Sequence, residues 1–424
     1  MTEPTSLRIP ARLDSGADLP ARLCRRLVMG RLEHIRFGEL TVIDPAGVRT
    51  FGLPGSSPRA TVRIHDARAW IAIALGGSLG AGESFMDRLW TTDDLVAVVR
   101  ILLHTSTRLS NLDGSALGAV RASLDGFYHR FRRNTKEGSR RNIADHYDLG
   151  NAFYRLWLDE SMMYSSAVWE HEDLTLEQAQ RARLDRIGSK LDLRPGDHLI
   201  EIGTGWGGLA IHAASRFGCR VTTTTISREQ FDFACERVRQ AGLGDRITVL
   251  LEDYRELRGR YDKLVSLEMI EAVGAEYLET FFAAVGDLLK PNGLGLIQSI
   301  TIPDDRFAQS VGRVDFIKRY IFPGGQLPSL QAMSEAWARR TDLRLLHYED
   351  FGEHYARTLH EWRSRFHSQL RPIEALGYSP RFQRMWDFYL GACEGAFLER
   401  HCGVAQLLLA RPDARRSAMM GQLG

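Results

Sequence analysis

The sequence predicts an α/β protein with a doubly wound, mainly parallel, Rossmann-like sheet and a smaller N-terminal α+β domain. From residue 142 onward, strand-like apolar runs alternate regularly with helical periods, which is typical of such a sheet. A glycine-rich turn follows the first of these strands, at residues 203–208. Before residue 110, strand-like segments precede helical ones without this regular alternation, which indicates a separate unit.

Length and composition fit a globular chain of two domains. The chain has 424 residues, of which 44% are hydrophobic, and its formal net charge of +2 gives no reason to expect nucleic-acid binding. No apolar run approaches the ~20 residues of a membrane span, and the N-terminus lacks a signal-peptide core. The five cysteines form no metal-binding pattern, so no metal site is predicted. These features predict a cytoplasmic protein with reduced thiols.

Four regions are predicted along the chain: a flexible tail (1–20), an N-terminal domain (21–120), a basic linker (121–141) and a larger domain (142–424). Within the N-terminal domain, strands are expected over 25–65 and helices over 66–110, with Thr92 as a helix cap. Basic residues cluster at 130–141 and at 411–416. They predict either a solvated surface or attraction to an anionic membrane.

The elements of the larger domain follow from the period of the apolar residues. Helices are predicted at 176–191, 228–241, 275–289 and 330–341. Strands are predicted at 199–202, 219–226, 247–251, 262–268 and 293–302. Such sheets bind ligands at the carboxyl ends of their strands, and the glycine-rich turn follows one of those ends.

The glycine-rich turn carries the strongest local signal. It contains Gly203, Gly205 and Gly208, and a helix is expected to begin at about Leu209. Glycines let the backbone approach a ligand closely, and the free amides of a helix N-terminus point toward it. The turn therefore predicts a site for a nucleotide-like cofactor.

Two classes of cofactor fit this turn. The glycine spacing satisfies the dinucleotide fingerprint, but such a site should have an acid at the end of the second strand. Here that strand is followed by Ser227, and the acid pair Glu252 and Asp253 follows the third strand instead. This order is found in S-adenosylmethionine (SAM) methyltransferases. A nicotinamide oxidoreductase and a turn that serves only packing stay as alternatives.

Several further segments resemble the cyclopropane fatty acid synthases. They are residues 146–151, 163–169, 253–255, 266–274 and 315–325. The resemblance covers about 142–400, and the N-terminal domain more loosely resembles the lipid-binding extension of the longer bacterial members. It implies a class I methyltransferase fold for the larger domain. It also implies transfer of a methylene from SAM to the cis double bond of a phospholipid acyl chain, which forms a cyclopropane.

The resemblance also implies a set of residues that contact SAM. Gly203 and Gly205 are expected at the methionine and ribose portion, and Thr225 and Gln230 near the ribose. Asp253 and Tyr254 are expected beside the adenine, and Tyr164 and Ser165 over the methionine end. The segment 320–329 is expected either to line the acyl channel or to be a rigid connector.

The resemblance further implies that the base that removes the final proton is a bound bicarbonate. The resemblance assigns its binding to Glu271, Tyr355, Ser166, Gln298 and Ile300. Three positions depart from the best-known bacterial pattern, because Ser166 replaces a cysteine, and Gln298 and Ala272 each replace a histidine. A hydroxyl and an amide can still donate hydrogen bonds to an oxyanion.

These departures resemble another branch of the family, which includes plant cyclopropane synthases and actinobacterial enzymes that make methyl-branched fatty acids. A methyl- or methylene-branched acyl chain, of the tuberculostearic type or as a furan fatty acid precursor, therefore stays open as an alternative product. A non-catalytic lipid-binding protein is a separate alternative, which the retained Glu271 and Tyr355 disfavour. The expected partners are a phospholipid with an unsaturated acyl chain and an anionic membrane surface, with no nucleic acid. The expected location is the cytoplasm, peripherally on the inner face of the membrane. The sequence leaves open whether the protein forms a homodimer.

Overall fold

The computed structural model describes residues 18–109 and 149–416. The chain forms two compact units that divide between Thr105 and Ser106. The predicted linker and most of the predicted tail lie outside the described residues, as does the basic cluster at 130–141. No helix in the described ranges is long and apolar enough to cross a bilayer.

The N-terminal unit is an α+β unit with one small sheet. Its elements are α1 (Asp18–Leu32), β1 (Glu39–Asp44), β2 (Gly47–Gly52), β3 (Arg59–Ile64), α2 (Arg68–Met86), β4 (Trp90–Thr92) and α3 (Leu95–Leu109). The strand order is β2-β1-β3-β4, with β1 and β3 parallel and the other neighbours antiparallel. Buried side chains alternate along β1 and β3, as expected for a sheet with one covered face.

Two local expectations for this unit are wrong. Residues 25–32 belong to helix α1 rather than to a strand, and Pro20 lies in the first turn of that helix, where its missing N–H costs no hydrogen bond. Thr92 ends strand β4 and does not cap α3. The cap is Asp94, whose carboxylate accepts a hydrogen bond of 2.9 Å from the backbone N–H of Ala97.

The C-terminal unit alternates strands and helices. Its first half contains α4 (Asn151–Arg155), α5 (Leu176–Leu191), β5 (His198–Ile202), α6 (Gly208–Phe217), β6 (Arg220–Thr224), α7 (Arg228–Gln240), β7 (Ile247–Leu250) and β8 (Tyr261–Leu267). Its second half contains α8 (Leu278–Leu288), β9 (Leu289–Thr301), α9 (Asp304–Ser310), α10 (Phe316–Tyr320), α11 (Leu330–Arg340), β10 (Arg344–Asp350), α12 (Gly352–Ser368), α13 (Leu370–Ala375), α14 (Pro380–Leu398) and β11 (Gly403–Ala410). Short 3₁₀ turns at Ile270–Ala272 and Ala275–Tyr277 precede α8.

One seven-stranded sheet organises this unit, in the order β10-β11-β9-β8-β5-β6-β7. The five predicted strands, β5 to β9, run parallel to one another. Strands β11 and β10, which were not predicted, extend the sheet in antiparallel fashion from β9. The doubly wound, mainly parallel sheet is therefore confirmed.

Two buried apolar clusters cover the sheet. One includes Phe281 and Phe282 of α8 with Trp337 of α11, and the other includes Leu184 and Ile187 of α5 with neighbouring strand residues. Helix α5 begins with a capping box between Thr175 and Gln178 and spans the predicted residues 176–191. Because β5, β6, β8 and β9 are parallel, their carboxyl ends meet at one edge, where the functional residues are expected.

Candidate active site

The glycine-rich turn connects β5 to α6 in a conformation that glycine favours. Gly203, Gly205 and Gly207 have φ angles of 101°, 51° and 83°. A Cβ atom added to Gly205 would meet no heavy atom of the described residues within 4 Å, whereas one added to Gly208 would lie 2.5 Å from the sulfur of Met163. The turn is therefore packed on one side and open at Gly205.

Glu201 lies near the carboxyl end of β5 and helps to hold the glycine-rich turn against strand β6. Its buried carboxyl accepts a hydrogen bond of 2.6 Å from the hydroxyl of Thr223, and that hydroxyl lies 2.7 Å from the hydroxyl of Thr204. Burial raises the pKa of Glu201 to about 8, although the Thr223 hydrogen bond opposes the rise. Glu201 is therefore mainly protonated at neutral pH.

Two predicted ribose contacts follow strand β6. The hydroxyl of Thr225 donates to the side-chain oxygen of Gln230 over 2.9 Å, and both residues are buried. Ser227 caps α7 by accepting a hydrogen bond from the backbone N–H of Gln230. The cap fixes Gln230 in the first turn of α7, beside the carboxyl end of β6.

The two predicted adenine contacts follow strand β7. Asp253 is buried, and Arg255 donates to both of its carboxylate oxygens, over 2.8 and 2.6 Å. The ring of Tyr254 lies 5.6 Å from that of Phe281, and burial raises the pKa of Tyr254 to about 12. The carboxylate of Asp253 is thus neutralised by a bidentate pair inside its own turn.

The residues predicted over the methionine end lie in an aromatic environment. The hydroxyls of Tyr164 and Tyr389 are 2.7 Å apart, and the ring of Tyr164 is 5.3 Å from Trp362 and 6.3 Å from Phe322. Ser165 is buried, and its hydroxyl has no hydrogen-bond partner in the described chain. This segment therefore combines aromatic faces with the hydroxyl of Ser165, which is available to form a hydrogen bond with a ligand.

Three of the residues assigned to bicarbonate bind the carboxylate of Glu268 instead. Its Oε1 accepts hydrogen bonds from the backbone N–H of Ser166, over 3.0 Å, and from Nε2 of Gln298, over 2.7 Å. Its Oε2 accepts one of 2.7 Å from the hydroxyl of Tyr355. The hydroxyl of Ser166 donates to the carbonyl of Ala167 and does not take part.

The other two residues of that set, Glu271 and Ile300, bind each other. Oε1 of Glu271 accepts hydrogen bonds from the backbone N–H of Ile300, over 2.5 Å, and from the hydroxyl of Ser299, over 3.1 Å. Oε2 is buried and has no partner within the described residues. Burial, together with the charge of Glu268, raises the pKa of Glu271 to about 8.

The residues present therefore do not fit a bound bicarbonate. The donors that were expected to hold an external oxyanion are already used within the chain. Gln298 and Tyr355 donate to Glu268, and the backbone N–H of Ile300 donates to Glu271. The hydroxyl of Ser166 donates to the carbonyl of Ala167. A second oxyanion beside Glu268 would face a like charge in a buried site.

Sequence reasoning missed Glu268, although it lies within the segment 266–274. It directly follows β8, and its backbone φ of +51° is in the left-handed region that glycine favours. Burial raises its pKa, while hydrogen bonds from Tyr355, Gln298 and Ser166 and the charge of Arg183 oppose that rise. A charged residue immediately after a parallel strand is the signal that could have identified it.

Arg183 of α5 was also missed. Its side chain is fully buried, and none of its guanidinium nitrogens has a hydrogen-bond partner within the described residues. Burial lowers its pKa to about 10, and Glu268 and Asp159 are the carboxylates that most oppose this. Arg183 thus remains charged at neutral pH and supplies a positive potential to the site.

Comparison with known proteins identifies the family. Residues 134–407 match the family model of mycolic acid cyclopropane synthetases. The chain is 36% identical over 400 residues to the tuberculostearic acid methyltransferase UfaA1 of Mycobacterium tuberculosis, covering 92% of this chain and 91% of that one. It is also 36% identical to the cyclopropane-fatty-acyl-phospholipid synthase of Escherichia coli K12 over 372 residues, covering 87% and 92% of the two chains.

Solved structures agree with this assignment. The mycolic acid cyclopropane synthase CmaA1, in a complex with SAH and CTAB, superposes with a TM-score of 0.60 at 29% identity. The match covers 64% of this chain and 98% of that one. Together with the cofactor-type glycine turn at the sheet edge, these likenesses show that the chain belongs to the mycolic acid cyclopropane synthetase family and is a SAM-dependent lipid methyltransferase.

Proposed function

We propose that the protein transfers a one-carbon unit from SAM to the cis double bond of an unsaturated acyl chain in a membrane phospholipid and closes a cyclopropane ring. The observation that carries this proposal is the pairing of buried carboxyls with aromatic rings at one sheet edge. Glu268 binds Tyr355, whose ring lies 6.0 Å from Trp362, and Trp362 in turn lies 5.3 Å from Tyr164. Such a dry aromatic surface can stabilise a carbocation on a lipid.

The cofactor supplies an electrophilic methyl group on a sulfonium. We assign its binding to the eight residues predicted from the resemblance, with Gly205 as the closest approach of backbone to ligand. Three features support this assignment: the open face of Gly205, the Thr225–Gln230 pair beside the same strand ends, and the hydroxyl of buried Ser165, which has no hydrogen-bond partner among the described residues.

The segment 320–329 supports an acyl channel on the same side. The ring of Phe322 is 6.3 Å from Tyr164 and 6.1 Å from Tyr389. The backbone N–H of Gln326 donates to the carbonyl of Glu271 over 2.8 Å, which ties this segment to the 3₁₀ turn that carries Glu271. We propose that Phe322 contributes to the apolar lining and that the remainder of the segment fixes its position.

A second candidate product is a methyl- or methylene-branched acyl chain. It is supported by the similarity to a tuberculostearic acid methyltransferase over 92% of the chain. Both products need the same first step, because the same carbocation yields a ring or an alkene according to which proton it loses.

Label transfer tests this function. The protein is incubated with methyl-labelled SAM and vesicles of a phospholipid with a cis-unsaturated acyl chain, and label is expected in the lipid extract. Label that stays in the aqueous cofactor pool, with vesicles and with detergent-dispersed lipid alike, contradicts the proposal. Mass spectrometry then separates the products: a ring adds one CH₂ and resists mild hydrogenation, whereas a methylene branch takes up hydrogen.

We further propose that the N-terminal unit contacts an anionic membrane surface through α1. Leu19, Leu23 and Leu27 form one stripe on this helix and are 67%, 53% and 64% exposed. Exposed Arg22 and Arg26 lie next to that stripe at helical spacing. An apolar stripe beside cations is typical of helices that lie in a membrane interface. The C-terminal basic cluster supports this less, because Arg411 pairs with Asp342 and Arg416 donates to backbone carbonyls.

Replacing Leu23 and Leu27 together by Ser is expected to weaken sedimentation with anionic vesicles at least about fivefold, since each leucine contributes on the order of 1 kcal/mol of apolar burial. Turnover on vesicles should fall with it, while turnover on detergent-dispersed lipid should not change. The matched control is Leu53→Ser with Leu75→Ser, two exposed leucines outside the stripe. Equal losses in both double variants would contradict the assignment of α1.

A further inference from the structure

We propose that Glu268 is the built-in base of this enzyme, which removes the proton from the alkylated acyl chain and leaves no role for bicarbonate. The inference rests on the proposed function, because only lipid alkylation requires such a base. Ser166, Gln298 and Tyr355 each donate a hydrogen bond to the side chain of Glu268.

The direction of the Gln298 hydrogen bond is fixed by a buried chain of donors. Lys190, which can only donate, gives a hydrogen bond of 2.7 Å to the side-chain oxygen of Gln406. The amide nitrogen of Gln406 must then donate to the oxygen of Gln298, over 3.0 Å. The amide nitrogen of Gln298 is therefore the group that faces Glu268.

The hydrogen bonds at Glu268 fit its carboxylate form. Its Oε1 meets two N–H donors, the backbone of Ser166 and the amide of Gln298, so no proton fits on that oxygen. Its Oε2 meets the hydroxyl of Tyr355, which is the third donor. The charged guanidinium of Arg183, which has no hydrogen-bond partner among the described residues, adds a favourable potential for the negative charge. The site thus stabilises an anion that belongs to the chain itself.

The proposed chemistry is balanced around this carboxylate. The π electrons of the alkene form the new C–C bond, the S–CH₃ bond breaks, and its electron pair stays on sulfur, which becomes a neutral thioether. The acyl chain is left as a carbocation. Glu268 takes one proton from it, and the C–H electron pair closes the ring or forms a double bond. The resulting carboxylic acid returns its proton to solvent after the product leaves.

The backbone at Glu268 is consistent with a functional residue. A non-glycine residue at φ +51° carries a conformational cost, and such strain persists where the side chain is needed. The backbone N–H of Glu268 also donates to the carbonyl of Gln298 over 2.8 Å, so the acceptor and its amide donor are joined twice. The carboxylate is thereby held in one position before substrate binds.

The first test is Glu268→Gln, which keeps the shape and the two N–H hydrogen bonds on one oxygen, places an amide NH₂ against the hydroxyl of Tyr355, and removes the basic oxygen. Turnover is expected to fall between about 100- and 10,000-fold, the usual contribution of a general base, with unchanged SAM affinity in calorimetry. The matched control is Glu394→Gln, a buried glutamate that binds His360, and it should keep wild-type turnover. A Glu268→Gln enzyme that retains more than a tenth of wild-type turnover overturns the inference.

The second test does not depend on turnover. Glu268→Gly removes the carboxylate and leaves three converging donors, so this variant should bind carbon-13 formate or bicarbonate saturably, as seen by nuclear magnetic resonance. The wild-type protein should bind neither at these donors. Wild-type turnover should also be the same in bicarbonate-free and bicarbonate-containing buffer. Bicarbonate binding by the wild type, or loss of its turnover when bicarbonate is removed, overturns the inference.

The two proposals fail in distinguishable ways. A wild-type protein that transfers no label to lipid overturns the proposed function and the base with it. An active wild type together with a Glu268→Gln variant that retains more than a tenth of its turnover overturns the base alone. An active wild type, an inactive Glu268→Gln variant and formate binding by Glu268→Gly support both.

Discussion

Gly205→Val is expected to abolish SAM binding while the chain stays folded. The branched side chain would occupy the open space that lies against Gly205, where we propose that the backbone meets the cofactor. We expect an affinity at least about 100-fold weaker, equivalent to ~2.7 kcal/mol, in a calorimetric titration. The left-handed φ of +51° adds a stability cost on the order of 1–2 kcal/mol, which the unfolding temperature will report.

Gly242→Val separates these two effects. Gly242 also has a left-handed φ, of +67°, and its Cβ position also meets no heavy atom of the described residues within 4 Å. It follows helix α7 at the end far from the strand ends. This control should show a similar loss of stability and normal SAM binding. If both valine variants bind SAM as the wild type does, the cofactor does not lie against Gly205.

Stability is expected to fall as pH rises from about 5 to about 8, because of Glu201 and Glu271. Burial is the largest cause that raises the pKa of each carboxyl, in both cases from 4.5 to about 8. Between those values the unfolded chain ionises these groups while the folded chain keeps them protonated. Each group then lowers the free energy of unfolding by up to about 1.4 kcal/mol per pH unit, and the loss levels off above the folded pKa.

The measurement is the unfolding temperature between pH 5 and pH 8.5 for the wild type, Glu201→Gln and Glu271→Gln. Glutamine keeps the acceptor oxygen for Thr223 or Ile300 and cannot ionise. Each variant should therefore match the wild type near pH 5 and exceed it by several degrees at pH 8.5. Exposed Glu374 supplies the control, since Glu374→Gln should follow the wild-type slope. Parallel slopes in all four proteins would mean that neither buried carboxyl is protonated.

Much of the fold could be predicted from the sequence because local patterns determine it. The period of apolar residues placed α5 at its observed bounds and the five parallel strands within a few residues of theirs. Strand β11 was missed because its run of buried apolar residues, Gly403–Ala410, has no alternation that separates a strand from a helix. Its antiparallel partner β10 is largely exposed and has no apolar pattern at all.

The site was predicted in part, for a related reason. Glycine spacing after a strand predicts a cofactor turn locally, and the family resemblance placed Gly203 and Gly205 against the cofactor, which stays a prediction. The hydrogen bonds on Glu268 come from residues more than 25 positions away on three other segments, and no local pattern encodes that convergence. The family resemblance instead predicted Glu271, three residues later, together with a bound bicarbonate, which the hydrogen bonds of the site do not fit.

The left-handed backbone of Glu268 also bears on how enzymes of this fold can diverge. Glycine adopts this conformation without strain, so a chain can exchange an internal carboxylate for an empty niche through one substitution and no rearrangement of the backbone. On the proposed mechanism, that single exchange decides whether lipid modification proceeds independently of dissolved carbon dioxide or responds to it. The dependence of such an enzyme on dissolved carbon dioxide would then follow from the identity of one residue, at a backbone position that glycine also favours.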